Sequence, residues 1–503
     1  MSPVAANWPS YNGDYTGRRY SSLNQITLAN VNQLRAQWVF HAPNTDRLEV
    51  TPVVVNGVMF VTARNDAYAL DAMTGRILWH HAQPITQGLI DDASGHINRG
   101  VGVWGSRVYM NTDNAHLLCL DARSGNLLWD VAYADWNKNY GATSAPLVVK
   151  GKVIVGTSGG DDGVRGFVAA YDAITGKMLW RFWTIPAPGE LGSDSWPGDS
   201  YLHAGGTTWM PGTYDPELNL LYWGTSNASP DFNGESRPGD DLYTSTLVAL
   251  DPDTGKLKWH FQFTPHDLYD YDATETAVLV DAEYKGKPRK LILQANRNGF
   301  VYVLDRVTGQ FLTAVRFAEK LNWAKGIDEK GRPIITADSA KPTPNGSEVC
   351  PGFSGATNWF SPSYNPETHT LYFMALEECT IFFSGPEKFS EGETYYGTGS
   401  RRAPGFGTKS LVAFDFQNSA FPWRYVQAGF RGSSGGTMTT ASGLVFFGDN
   451  AESFEAVDAK SGKPLWHFNT GQTFHASPMS YAVNGKQYLA IAAGNDVFSF
   501  ALP

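Results

Sequence analysis

Short apolar runs recur along the chain, each closed by a polar turn. Val53-Val54-Val55-Asn56-Gly57-Val58-Met59-Phe60-Val61 reads as two strands joined by a tight Asn-Gly turn. Leu147-Val148-Val149-Lys150-Gly151-Lys152-Val153-Ile154-Val155 follows the same plan. Ala67-Tyr68-Ala69-Leu70 is a further short strand, and it runs straight into Asp71. No apolar run approaches the roughly 18 residues a membrane-spanning helix needs.

That Asp opens a unit that returns along the chain: Asp, a small residue, Thr/Ser-Gly, then Trp eight positions after the Asp. It reads Asp71…Thr74-Gly75…Trp79, Asp121…Ser124-Gly125…Trp129, Asp172…Thr175-Gly176…Trp180, Asp251…Thr254-Gly255…Trp259 and Asp458…Ser461-Gly462…Trp466. Two copies are degenerate. Asp305…Thr308-Gly309 has Thr313 in the Trp position, and Asp415…Trp423 lacks the Gly. Trp38 is the tail of one more copy, giving eight units. Asp and Thr/Ser form turns through side-chain hydrogen bonds to the backbone, Gly supplies positive φ, and the next strand carries the Trp. One unit therefore holds about four antiparallel strands in roughly 40–50 residues, the signature of a propeller blade. The expected fold is all-β: one eight-bladed propeller domain over residues 1–503. The interval of 79 residues from Trp180 to Trp259 and of 110 from Thr313 to Trp423 mark insertions, near 183–208 and 317–410. Propeller insertions sit on a rim, where ligand sites are built.

Composition narrows the class. Of 503 residues 42% are apolar and 17% charged, enough for a large core and too little charge for disorder. A net charge of −10 argues against nucleic acid and anionic membrane surfaces as partners. No signal peptide is visible at Met1-Ser2-Pro3-Val4, so the protein is cytosolic or a signal has been removed and a start Met supplied. The three cysteines, Cys119, Cys350 and Cys379, form no CxxC, which excludes zinc ribbons and covalent haem. Cys119, inside Leu117-Leu118-Cys119-Leu120, reads as an inert core residue.

The candidate chemistry centres on Thr264-Pro265-His266-Asp267-Leu268-Tyr269-Asp270-Tyr271-Asp272. On extended backbone, Asp270 and Asp272 would point the same way, and their charges repel unless a cation or shared proton offsets them. The pair suits metal binding or acid–base work; a solvated acidic turn fits the same residues.

The opening Trp8-Pro9-Ser10-Tyr11-Asn12-Gly13-Asp14, with Asn30-Val31-Asn32-Gln33-Leu34 and the Asp…Thr-Gly…Trp repeat, resembles the quinoprotein alcohol dehydrogenases that use pyrroloquinoline quinone (PQQ). The resemblance runs from about residue 7 to the C-terminus. It implies an eight-bladed propeller with the quinone and a metal ion on its axis. Carried onto this chain, it implies quinone contacts from Glu49, Arg99, Thr143, Ser158, Gly159, Gly160, Thr207, Arg297, Asn358 and Trp359, with Trp209 as the floor beneath the ring system. Metal ligands would be Asp161, Asn227, Asp270 and Asp272. Asp270 would be the general base, steadied by Arg297. Family members dependent on lanthanides carry Asp-Tyr-Asp, as here, whereas calcium-dependent members have a small residue in place of Asp272. Two departures stand out. Ala93-Ser94 occupies the place of a vicinal cysteine pair that usually covers the quinone, and Asp161 stands where the family has a longer Glu. From the residues alone, Ser158-Gly159-Gly160-Asp161-Asp162-Gly163 is equally a surface turn.

The resemblance further implies a Cys350–Cys379 disulfide, a periplasmic location, a small alcohol as substrate and a separate electron acceptor such as a soluble cytochrome c. It leaves a homodimer open. Rival readings are a calcium-dependent enzyme acting on sugars or polyols and a non-catalytic propeller scaffold.

Overall fold

The computed structural model of the protein describes residues 3–43, 45–405, 407–429 and 432–503. Among these, strands dominate and the only α-helix is the single turn Asp91–Ser94. Antiparallel sheets follow one another along the chain. The first joins Val53–Val55, Val58–Ala63, Asp66–Asp71 and Ile77–Ala82 in simple up-and-down order. Six more of the same plan occupy 102–132, 147–183, 213–262, 278–316, 363–426 and 437–469. An eighth is shared between the chain ends: Arg35–His41 pairs antiparallel with Asp496–Ala501, register Arg35↔Ala501. Tyr20–Ser21 adds to the edge of the seventh, parallel to Thr439–Thr440. The chain thus closes on itself, with an N-terminal strand, Arg35–His41, and the last strand, Asp496–Ala501, paired in one sheet.

The repeat residues hold neighbouring sheets together. Asp71 Oδ1 accepts from Thr74 N and Thr74 Oγ1, both at 2.9 Å, and fixes the turn. Trp38, Trp79, Trp129, Trp180, Trp259 and Trp423 each lie on the Gly of the following repeat. A Cβ at Gly125 would come within 2.6 Å of the Trp79 ring, and one at Gly255 within 2.6 Å of Trp180. Both glycines also have positive φ, so a side chain there is excluded twice. Trp79 and Trp180 complete the dock by donating Nε1–H to the carbonyls of Ala122 and Pro252, each at 2.9 Å. This explains the two degenerate copies. The repeat after Trp259 keeps Gly309, against which Trp259 packs, whereas the repeat after Thr313 has no ring to receive and carries Ser419 in the Gly position. The core is accordingly distributed between sheets; Val53, Phe60 and Trp79 of the first pack with Val108, Met110 and Leu118 of the second. Replacing Trp180 by Ala should cost about 3 kcal/mol in urea unfolding, because a buried ring and its hydrogen bond are lost together.

The stretch 317–410 is not one uninterrupted insertion. It is divided by two strands of the sixth sheet, Ser363–Asn365 and Thr370–Glu377. The two remaining pieces rejoin as a small sheet of Ser347–Val349, Thr380–Ser384 and Thr398–Arg402. A Cys350–Cys379 disulfide ties them, as the resemblance implies, and Cys119 is free and buried. The stretch 183–208 holds two 3₁₀ turns, Ser193–Ser195 and Ser200–His203.

Candidate active site

In an antiparallel sheet the start of the first strand and the end of the second lie on the same side. Every sheet can therefore offer two segments to one face, and the site is made of these. Glu49, Arg99, Thr143, Thr207, Trp209, Asp270, Asp272, Asn358 and Trp359 lie on segments leading into first strands. Ser158, Gly159, Gly160, Asp161, Asn227 and Arg297 lie just past second strands. The two groups are spread along the chain from Glu49 to Trp359 and meet around one cavity of about 270 Å³.

Twelve of the expected residues line that cavity: Arg99, Thr143, Ser158, Gly159, Gly160, Asp161, Thr207, Trp209, Asn227, Asp270, Asp272 and Arg297. Three stand behind it. Glu49 accepts from Arg99 Nη2 at 2.6 Å, Asn358 Oδ1 accepts from Arg297 Nη2 at 3.2 Å, and the Trp359 ring lies 4.7 Å from the Arg99 guanidinium carbon. They act on the cavity through the two arginines.

Arg297 organises one side. Its Nη1 is 2.9 Å from Asp270 Oδ2 and its Nη2 is 2.8 Å from Asp272 Oδ2. Asp272 also accepts from Trp209 Nε1 at 3.0 Å and from Asn227 N at 2.8 Å. Asn227 Nδ2 in turn donates to Asp161 Oδ1 at 3.2 Å. The backbone that presents the aspartates is a tight turn and not the extended chain that the i, i+2 spacing suggests. Asp267 shapes it by accepting from Tyr269 N at 3.1 Å and Tyr271 N at 2.7 Å. Asp270 is left at φ +61°, a left-handed conformation that Asp tolerates better than most residues and that marks a constrained functional position. The turn and Arg297, not strand alternation, bring the two carboxylates together.

Burial sets the electrostatics. Desolvation, with repulsion from Asp272 added, pushes the Asp161 carboxyl up to about 7. Asp270 is driven upward by desolvation, against the pull of Arg297, and Asp272 moves the same way. Buried Glu275 rises to about 8 through desolvation, although Arg297 opposes it, and buried Asp231 is raised by desolvation and by Asp161. Desolvation works against the Arg297 cation, but Asp270, Asp272 and Glu275 raise it overall. The sequence reading missed Glu275 and Asp231. Glu275 lies three residues past Asp272 and could have been flagged as an acid continuing that segment; Asp231 carries no such signal.

The donors suit a hard cation: three carboxylates and an amide oxygen. Their spacing is looser than a closed shell. Among the described residues, the three carboxylates do not bring their oxygens within 4.8 Å of one another. The donor chemistry is what fits the ion; the spacing is that of an open site whose oxygens would have to draw together to about 2.3–2.6 Å from it. The opposite side suits an anionic planar group. The Arg99 guanidinium lies 5.0 Å from the Trp209 ring centre, 3% exposed, and its Nε and Nη1 are buried without a hydrogen-bond partner. A buried cation with two unused donors calls for an acceptor such as a carboxylate. The Gly159-Gly160 cradle, which lines the cavity, is also required by packing within the protein. A Cβ at Gly159 would stand 2.2 Å from the Asn139 carbonyl oxygen and one at Gly160 2.9 Å from Thr207 Oγ1. The protein's own packing demands these glycines, whatever lies in the cavity.

Ala93-Ser94 closes the one-turn helix Asp91–Ser94 over this region. Ala93 is fully buried and its carbonyl accepts from Ser158 Oγ, so the segment is pinned to the cavity wall without any cysteine.

Comparison with known proteins gives the family. The family pattern described as "PQQ: Glucose/ethanol/alcohol dehydrogenase, beta-propeller domain" matches residues 8–320 and 407–489. The chain is 38% identical to quinohemoprotein alcohol dehydrogenase ADH IIB of Pseudomonas putida, over 98% of this chain and 74% of that protein. It is 36% identical to the 1-butanol dehydrogenase (cytochrome c) of Thauera butanivorans, over 98% and 75%. Among solved structures, a europium-containing methanol dehydrogenase matches with a TM-score of 0.93 at 31% identity, covering 99% of this chain and 98% of that one. Fold and site together define a β-propeller quinoprotein. The chain belongs to the PQQ-dependent alcohol dehydrogenases and is an oxidoreductase.

Proposed function

We propose that the chain is one eight-bladed propeller domain, residues 1–503, that oxidises an alcohol to an aldehyde or ketone in the periplasm. The ion is a lanthanide, and a soluble cytochrome c takes the electrons. The observation that carries this reading is the two-sided cavity: Arg297 with Asp270 and Asp272 on one side, Arg99 with unused donors over Trp209 on the other. The eight successive sheets support the blade count. The disulfide fits an oxidising compartment. The named acceptor of the Thauera relative supports a cytochrome, and the europium in the methanol dehydrogenase supports a lanthanide.

In this reading Arg99, buttressed by Glu49 and Trp359, holds a carboxylate of the quinone, and Trp209 supports its flat face. Thr143, Ser158, Gly159, Gly160 and Thr207 line the rest of its berth, with Asn358 steadying Arg297. Asp161, Asn227, Asp270 and Asp272 hold the ion. When bound, the quinone and its ion supply a hydride acceptor and Lewis-acid polarisation. The protein supplies the base: an Asp270 carboxylate oxygen takes the substrate hydroxyl proton, and Arg297 fixes its direction and balances its charge. The Asp91–Ser94 turn keeps bulk water from that step.

Reconstitution tests this. Metal-free protein given PQQ and La³⁺ should acquire the quinone's absorption band and reduce an artificial electron acceptor when an alcohol is added. A chain that takes up neither quinone nor ion is a scaffold, and the reading fails.

A further inference from the structure

The outer part of the cavity is formed by Arg47, Asp91, Asp92, Ser94 and Ile97. Ile97 is the only aliphatic side chain among the described residues that line the cavity. Trp209, its only aromatic one, already commits its N–H to Asp272. More of this lining is polar than apolar, so an alkyl chain gains less here than in an aliphatic pocket, because hydrophobic gain scales with the apolar area removed from water. The lining offers a hydroxyl group many partners.

Asp92 is the best placed of these. It sits on the one-turn helix Asp91–Ser94, which ends in left-handed Gly95. The Tyr396 hydroxyl donates to Asp92 Oδ2 at 2.5 Å. Tyr396 is itself anchored: its carbonyl accepts from Phe232 N at 2.8 Å, and its ring stacks on Phe232 with centroids 5.9 Å apart. Beside it, Tyr395 N donates to the Asp161 carbonyl at 2.6 Å. Asp92 is thus a carboxylate held by one oxygen, with the other left to accept, in the segment that stands in place of the cysteine lid.

We propose that the alcohol this enzyme selects is a small polyhydroxylated one, such as a vicinal diol, a triol or a sugar alcohol. Asp92, oriented by Tyr396, is the specificity-determining residue and accepts a hydrogen bond from a second hydroxyl. The proposal rests on the alcohol dehydrogenase reading and names the substrate class of the same site.

The test compares kcat/KM of the PQQ- and metal-loaded enzyme for glycerol and erythritol with 1-butanol, 1-hexanol and ethanolamine. The native enzyme should prefer the polyols. Asp92→Ala should lower the polyol-to-alkanol ratio about tenfold or more, through KM, as loss of one charge-assisted hydrogen bond predicts. Asp92→Asn, which keeps an acceptor, should recover most of the ratio, and Tyr396→Phe should shift it in the direction of Asp92→Ala. Binding is read separately: erythritol should raise the melting temperature of metal-loaded, quinone-free protein and should do so less for Asp92→Ala. Preference for 1-hexanol over erythritol, preference for ethanolamine over both, or an equal loss on all alcohols in Asp92→Ala overturns the proposal. If no alcohol at all is oxidised, the fault lies with the cofactor reading, and the melting-temperature shift still decides Asp92.

Discussion

Asp270→Asn should leave a folded protein that takes up quinone and ion yet turns over at least about 10³-fold more slowly, within the range that general-base catalysis contributes. The choice of Asn follows from the backbone. Asp270 sits at φ +61°, where Asn is tolerated and Ala is strained. Asn also keeps an oxygen for Arg297 Nη1, and that Nη1 further donates to the Asp270 carbonyl at 2.7 Å, which the substitution does not touch. Arg297 retains Asp272 at 2.8 Å and Asn358 at 3.2 Å. What disappears is the basic oxygen. The loss should fall on kcat, measured with saturating alcohol and with the quinone absorbance recorded in the same cuvette. Turnover within tenfold of the native enzyme at full quinone occupancy would remove Asp270 from its role. A loss of absorbance in step with activity would instead make it a structural ligand only.

Much of this was legible in the sequence because the repeat is a physical unit. Asp71, Thr74, Gly75 and Trp79 each have one job in the turn and dock, so their spacing survives across the chain and discloses the blades. Even the two broken copies carried information, since Thr313 without an indole precedes Ser419 without a hydrogen side chain. The axial residues were legible only through resemblance. Arg99, Asp161, Asn227 and Asp270 adjoin four different sheets, Arg297 follows the second strand of the sheet that Asp270 leads into, and no periodicity in the chain says that they meet. Local geometry was less readable. The spacing of Asp270 and Asp272 pointed to extended backbone, but two hydrogen bonds to Asp267 make a turn, and side-chain bonds of that kind compete with strand formation. Gly159 and Gly160 are expected from the resemblance to face a ligand, whereas the crowding by Asn139 and Thr207 that also forbids a side chain there is tertiary and not visible in the sequence. The buried acids Glu275 and Asp231 escaped because burial, the property that makes them notable, is tertiary.

Reconstitution of the metal-free protein should restore activity with La³⁺ or Ce³⁺ at least about tenfold better than with Ca²⁺, and Asp272→Asn should narrow that gap. The argument is one of charge. Asp161, Asp270 and Asp272 bring three carboxylates to one cavity wall, where burial drives all three carboxyls upward against the pull of Arg297, so that their charged forms call for a further cation. Adding a unit of positive charge among buried carboxylates is worth several times what it is in bulk water, because the local dielectric is low. Asp272 is the residue through which that preference should act. It is 2% exposed and fixed by Trp209 Nε1, Asn227 N and Arg297 Nη2, so it cannot turn away from the site when a smaller charge occupies it. Asn in its place keeps an oxygen for the Asn227 N–H but removes the charge, which separates ion selection from scaffolding. Titration of quinone-free protein with Tb³⁺ and Ca²⁺ reads affinity without turnover. A selective weakening of Tb³⁺ in Asp272→Asn assigns ion choice to Asp272. An equal weakening of both ions would make Asp272 an anchor for Arg297 and Trp209 alone, and equal activity of the native protein with Ca²⁺ would end the lanthanide reading.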